Sequence, residues 1–179
     1  MSTFYGRVPI EEARSFLYYQ KDGITQKLIH QLKYKNQPEI GEFIGEWFGS
    51  NLTGMNVFED VDYIVPVPLH PQKKRKRGYN QVTLFGETLS KILGIEYKSN
   101  VLIRFSTTKT QTLKQRFERF SDSKTKFKLA NTTIFENKHV LLIDDVITTG
   151  ATIEACANEL LKTKNIIVSV ATMAYTQKA

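Results

Sequence analysis

Apolar residues recur at helical spacing through most of the first third of the chain. Over 37–52 (QPEIGEFIGEWFGSNL), Ile40, Phe43, Ile44, Trp47 and Phe48 follow a 3.6-residue period, and over 23–35 Ile24, Leu28 and Leu32 share one face. Pro9 can open an earlier helix, because its missing N–H is one that a first turn leaves unpaired anyway, and Glu11 and Glu12 suit that turn. From Val61 the pattern changes. Residues 61–67 (VDYIVPV) are short, apolar and partly β-branched, as a buried strand should be. A polar loop, PLHPQKKRKRGYNQ, leads to a helix with Val82, Phe85, Leu89, Ile92 and Leu93 inward, stopped by Gly94. VLIRF (101–105), KHVLLIDD (138–145) and NIIVSVATMAY (165–175) read as further strands, and ATIEACANELLK (151–162) as a helix burying Ile153, Cys156, Ala157, Leu160 and Leu161. Strands alternating with helices imply an α/β fold, its central sheet mainly parallel and flanked by helices, with right-handed crossovers. No repeat and no linker rich in Pro, Gly or Ser divides the chain. It reads as one domain, with a helical N-terminal part over 1–57 and an α/β core over 58–179.

Composition narrows the class. The 179 residues fit one domain with one sizeable core; 41% are hydrophobic and 24% charged, as in globular proteins. The single cysteine, Cys156, can form neither an internal disulfide nor a Cys-rich zinc site, which points to a reducing compartment; on the packed face of its helix it reads as core. No apolar run approaches the ~20 residues that span a bilayer, and the N-terminus shows no signal-peptide pattern, so the cytoplasm is expected by elimination and membrane insertion is not. The net charge of +7 favours an anionic partner: nucleic acid, phosphorylated metabolite or membrane surface. Segment 98–128 carries nine cations against two acids, an excess equal to that of the whole chain. Its polar part, 106–128, is long enough for a mobile functional loop, with a helical turn or hairpin, or for a disordered basic loop that needs no ligand.

The stretch that carries chemistry is VLLIDDVITTGAT, 140–152. Asp144 and Asp145 fall at the carboxyl end of a buried strand, the edge where open α/β sheets bind ligands. Carboxylates there suit hydrogen bonds from a diol, or water-mediated contact with Mg²⁺. Thr148, Thr149, Gly150, Ala151 and Thr152 lead into a helix N-terminus. Gly150 permits a tight turn, and backbone amides with threonine hydroxyls can wrap a phosphate there. Each residue alone fits a plain strand, turn and capped helix; the contiguous pattern describes a ribose 5-phosphate site. Neither a Walker loop nor a G-x-G-x-x-G motif occurs.

VLLIDDVITTGAT resembles the phosphoribosyl pyrophosphate (PRPP) motif of type I phosphoribosyltransferases. In order along the chain, LIHQLKYKNQPEIGEFIG, YIVPVPLHPQKKRKRGYNQ and TQTLKQRFERFSDSKTKF resemble the ComF family of competence-associated, phosphoribosyltransferase-like bacterial proteins. The match runs from about Tyr5 to Tyr175. Two departures stand out. The family's usual Cys-rich zinc ribbon is not supplied, as in a short form or a truncated chain, and Asp122 stands where an asparagine is expected, beside a matching Arg119 and Phe127.

The resemblance implies a type I phosphoribosyltransferase fold with an N-terminal helical extension and a basic hood loop. It implies that Asp144 and Asp145 hold the ribose hydroxyls and act at the catalytic centre, and that Thr148 to Thr152 cradle the 5-phosphate. It makes Pro68, Leu69 and His70 the pyrophosphate loop, with Arg75 and Arg77 on phosphate oxygens and Gly78 freeing the backbone; Asn80 and Gln81 start the next helix. A strained or cis peptide is common in that loop in the family. Thr110, Gln111, Arg116 and Arg119 would belong to the hood, closing over PRPP to exclude water. The implied cofactor is Mg²⁺, held through PRPP and water near Asp144 and Asp145 with no direct protein ligand. The implied reaction is attack of a nitrogen acceptor on C1 of PRPP with release of pyrophosphate, in DNA uptake or nucleotide salvage. Thr148 stands where several purine-salvage relatives place a proton-accepting aspartate, so no general base is visible in the loop. A non-catalytic accessory factor binding PRPP, nucleotide or single-stranded DNA stays open, as do contacts with competence machinery or a second copy of the chain. From composition alone, KKRKR (73–77) is as readily a solvated surface run or a nucleic-acid patch as part of a phosphate site. His70 reads as a loop histidine, and His30 with Tyr34 could face core or solvent.

Overall fold

The computed structural model describes residues 4–55, 57–105 and 126–176. Five strands form one parallel sheet in the order β1 (Ala13–Tyr18), β7 (Ile167–Tyr175), β6 (His139–Ile147), β2 (Tyr63–Pro66), β3 (Glu96–Tyr97). The central strand β6 pairs with β2 from Tyr63 opposite Val140 to Pro66 opposite Ile143, and with β7 from His139 opposite Ile167 to Ile147 opposite Tyr175. Its apolar run is continuous because both faces are covered. Val140 and Leu142 pack with Ile153, Cys156, Ala157 and Leu160 of α5 (Ala151–Leu160). Leu141 and Ile143 pack with Leu32 of α1 (Ile24–Tyr34), Ile44 and Phe48 of α2 (Glu39–Thr53), and Phe85 and Leu89 of α4 (Thr83–Leu93). Burying each such side chain is worth about 1.5–3 kcal/mol.

Glycine sets how closely the second layer packs. Gly41, Gly45 and Gly49 form the buried stripe of α2 that faces α4. A Cβ on Gly45 would lie 2.9 Å from Thr88 Cβ and 3.1 Å from the Phe85 carbonyl; one on Gly49 would lie 2.9 Å from Ile92 Cδ1. Each glycine costs a helix interior up to ~1 kcal/mol, and here close packing offsets it: the Phe85 backbone lies against Gly41 and Gly45, and the Ile92 side chain against Gly49.

Several sequence expectations change. No helix follows Pro9: Ala13–Tyr18 is a strand, hydrogen-bonded along β7 from Ala13 opposite Val170 to Tyr18 opposite Tyr175. The part before residue 58 is therefore not wholly helical, and it shares the sheet and the core with the rest. VLIRF does not join the main sheet. As β4 (Leu102–Phe105) it pairs antiparallel with β5 (Lys126–Leu129), and these strands flank the segment 106–125, which lies outside the described residues. KKRKR is not loop: Pro71–Arg77 is the helix α3, opened by proline in its first turn and closed by left-handed Gly78 (φ 88°). On the same apolar period, Trp47 is 56% exposed, lying edge-on to Phe16 at 5.0 Å between ring centres, while Phe48 is buried. Ile24 and Ile92 are exposed too, and His30 stacks on Tyr34 at the surface. No helix among the described residues is long and apolar enough to cross a membrane.

Candidate functional site

Strand alternation sends adjacent residues to opposite faces, so Asp144 and Asp145 cannot share one. Asp145 follows Leu141 and Ile143 onto the α1–α4 face. There its Oδ1 accepts from Lys33 Nζ at 2.9 Å, and its Oδ2 from Gln81 Nε2 at 2.7 Å. Asp144 follows Val140 and Leu142 toward α5, and its Oδ1 accepts the Asp145 amide at 2.8 Å. Both carboxyls are deeply set, 9% and 4% exposed, yet both line one 180 Å³ cavity at the carboxyl edge of the sheet. Burial first, then the neighbouring Asp145 charge, pushes the Asp144 carboxyl up to about 8, against the pull of Lys33 and Arg104.

The loop after β6 is open on its outer side. Thr148, Thr149, Ala151 and Thr152 are exposed, and Gly150 is buried in the left-handed region at φ 79°, where a side chain would strain the backbone. A 30 Å³ hollow between Asp144 and residues 146–153 joins the acids to this helix start. Arg7 crosses the same loop. Its Nη1 donates to the Thr149 carbonyl at 2.8 Å, and its Nη2 pairs with Glu154 in the first turn of α5. The loop residues Thr148 to Thr152 thus lie beside Asp144.

The other wall of the 180 Å³ cavity comes from the segment after β2. Pro68, Leu69, Lys73 and Arg77 line it together with Lys33, Tyr34, Gln81 and Arg104. Arg77 lies 5.7 Å from the Tyr34 ring centre and donates to Gln81 Oε1. Arg75 is not among the lining residues. On a helix Lys73 and Arg77, four apart, share the inward side and Arg75 falls on the far one. His70 accepts the Gln72 amide at 3.2 Å and caps α3, and Gly78 caps its other end. Asn80 and Gln81 precede α4 rather than begin it: Asn80 Nδ2 donates to the Val67 carbonyl at 3.0 Å, fixing the chain that leads to Gln81. There is no cis peptide among the described residues. Thr110, Gln111, Arg116 and Arg119, the hood residues, lie outside the described residues, as does Asp122.

Four cavity cations, Lys33, Lys73, Arg77 and Arg104, surround two acids, one of them pushed by burial toward its uncharged form. That surplus suits a polyanion. Among the described residues no group of three metal-ligating side chains occurs. Two carboxylates without a third ligand fit a Mg²⁺ brought in by phosphate oxygens better than a resident ion. Sequence reasoning missed Lys33, Gln81, Lys73 and Arg7 as site residues. Lys33 and Asp145 are 112 positions apart, and Lys33 occupies an ordinary polar position of an amphipathic helix. Gln81 was read only as the start of a helix.

A model of the phosphoribosyl transferase domain matches residues 79–178. The chain is 31% identical over 149 residues to the DNA utilization protein YhgH of Escherichia coli K12, an alignment covering 80% of this chain and 63% of that one. It is 38% identical over 100 residues to competence protein F of Haemophilus influenzae, covering 55% and 44%. It is 31% identical over 145 residues to competence protein ComFC of Bacillus subtilis, covering 80% and 56%. The chain thus spans less than two thirds of the length of each of these relatives.

Proposed function

The chain belongs to the phosphoribosyltransferase domain family, among its ComF-type members, and from that premise we propose that it binds PRPP with Mg²⁺ and transfers the phosphoribosyl group to a nitrogen acceptor, releasing pyrophosphate, in the service of DNA uptake. One observation carries the reading: a buried acid opens onto an exposed loop at a helix start, and four cations line the same 180 Å³ cavity. Asp144 accepts a ribose hydroxyl. The amides and hydroxyls of Thr148 to Thr152 surround the 5-phosphate. Arg77 and Lys73, beside Pro68 and Leu69, draw the diphosphate to the opposite wall.

Departure of pyrophosphate leaves positive charge on the sugar ring and builds negative charge on the leaving oxygens. Fixed cations on that side of the cavity favour this charge separation. Mg²⁺, when bound, neutralises the diphosphate and makes it a better leaving group. The loop offers no proton acceptor at Thr148, and Glu154 is engaged by Arg7. The acceptor therefore arrives as a free amine, or loses its proton to a group outside this loop. The reading predicts that millimolar PRPP with Mg²⁺ raises the melting temperature by several degrees, because a ligand that binds only the native state stabilises it. Asp144→Asn should remove the rise, and a parent protein that does not respond at all sinks the reading.

A second reading is favoured by the exposed cations of α3 and the names of the relatives: a binder of single-stranded DNA that transfers nothing. Its mark is salt. Affinity would fall with a log–log slope near −0.7 for each phosphate contacted, and no pyrophosphate would be released from PRPP.

A further inference from the structure

Nothing in the sequence singles out Lys33 for phosphate chemistry within its family-like stretch, and its helix is tied to the site at three successive residues. The Leu32 carbonyl accepts from Tyr79 Oη, the Lys33 ammonium reaches Asp145, and the Tyr34 ring lies under the Arg77 guanidinium. Gln81, in the turn before α4, completes a chain across α1, β6 and α3. Its Nε2 donates to Asp145, its Oε1 accepts from Arg77, and so Lys33, Asp145, Gln81 and Arg77 stand in one hydrogen-bonded row. Both outer members of the row are cations, and both line the 180 Å³ cavity.

A purely structural ion pair would not need this arrangement. Asp145 already has a second donor in Gln81. An ammonium carries three N–H donors; Asp145 takes one, and no second acceptor for Lys33 stands among the described residues. The remaining donors belong to a side chain that is itself part of the cavity wall.

We propose that Lys33 is a ligand-binding residue of this cleft, held in place by Asp145 and Gln81 so that it and Arg77 grip the diphosphate end of the ligand from two helices. The two adjacent acids then divide the work. Asp144 meets the sugar, and Asp145 keeps a cation at a fixed address. The inference rests on the phosphoribosyl reading above, and the test separates the two.

The probe is pyrophosphate with Mg²⁺, followed by isothermal titration, with ribose 5-phosphate as the second ligand. Lys33→Met alone would strand the buried Asp145 charge, so the substitution is made on an Asp145→Asn background. Asp145→Asn sets the reference affinity for Mg²⁺–pyrophosphate, on a background with no buried charge left to strand. Adding Lys33→Met should weaken it about tenfold, the loss expected for a charge-assisted hydrogen bond, while ribose 5-phosphate changes less than twofold. Equal pyrophosphate affinities on the two backgrounds overturn the inference and leave Lys33 as a counter-ion. An equal loss for both ligands overturns its assignment to the diphosphate. A parent protein that binds neither pyrophosphate nor PRPP with Mg²⁺ overturns the phosphoribosyl reading itself.

Discussion

Two carboxylates at opposite ends of β6 have the same partners in kind. At the amino end, Asp62 accepts from the Lys138 ammonium at 2.7 Å and from the His139 amide at 2.8 Å. At the carboxyl end, Asp145 accepts from the Lys33 ammonium at 2.9 Å and from the Gln81 side-chain amide at 2.7 Å. Their settings differ. The Asp62 pair is about a third exposed on both sides, and both of its donors are adjacent in sequence. Asp145 is buried, draws on α1 and on the turn before α4, and shares a cavity with a second acid and three further cations. Partner chemistry alone therefore does not assign a role. Burial and the charge around the pair distinguish them: one pair is complete in itself, and the other belongs to a wall with four cations to two acids.

The largest expected break in this comparison is in stability. Lys33→Met leaves a buried carboxylate without its cation and should cost about 3 kcal/mol, whereas Lys138→Met at the exposed end should leave unfolding nearly unchanged. Urea unfolding of the two variants measures the difference, and equal losses would erase the contrast.

A smaller effect lies in pH. Burial and the Asp145 charge raise Asp144 to about 8 from an ordinary 3.8. Between those values the folded chain holds a proton that the unfolded chain has released. Stability therefore falls as pH rises through the window. Asp62 runs the other way. Burial pushes it up, but the Lys138 and His139 hydrogen bonds and charges outweigh that and hold its carboxyl below the ordinary value. Its contribution is present above that value and is lost as pH falls through the folded one. Thermal melts from pH 5 to 8 should slope downward in the ligand-free parent and flatten in Asp144→Asn. A level parent curve would show that Asp144 is already ionised at pH 5.

The smallest expected change separates stability from binding. Gly150 opens α5 at φ 79° and Gly94 closes α4 at φ 70°. Alanine at either should cost about 1 kcal/mol for a side chain in the left-handed region. Only Gly150→Ala should also weaken ribose 5-phosphate, as titration of both variants would read; equal binding would detach the loop from the phosphate.

What the sequence disclosed follows the same divide between local and distant. The strand, turn and helix that carry Asp144 to Thr152 were legible because their signal is contiguous: an apolar run, two acids, then a glycine at a helix start. The amino-terminal strand was not. ARSFLY lies at the sheet edge with mixed exposure, so it shows neither clean alternation nor a continuous apolar run, and the preceding proline and acids imitate a helix start. In KKRKR the five cations hid a helix whose punctuation was readable, Pro71 before and Gly78 after. Lys33 and Gln81 lie in stretches that resemble the family, but neither was marked as a site residue by its own local pattern. They become site residues only because α1 and α4 converge on one end of β6, which is a property of the assembled fold.

The bare stripe of α2 gives that convergence its tolerance. With Gly41, Gly45 and Gly49 laid against α4, the seam holds only α4's own Thr88 and Ile92 side chains, set directly on the glycines. The amino-terminal helices then ride with the sheet as a fitted joint rather than on a hinge, and a ligand entering the cleft meets a lysine whose distance from its aspartate was machined when the chain folded.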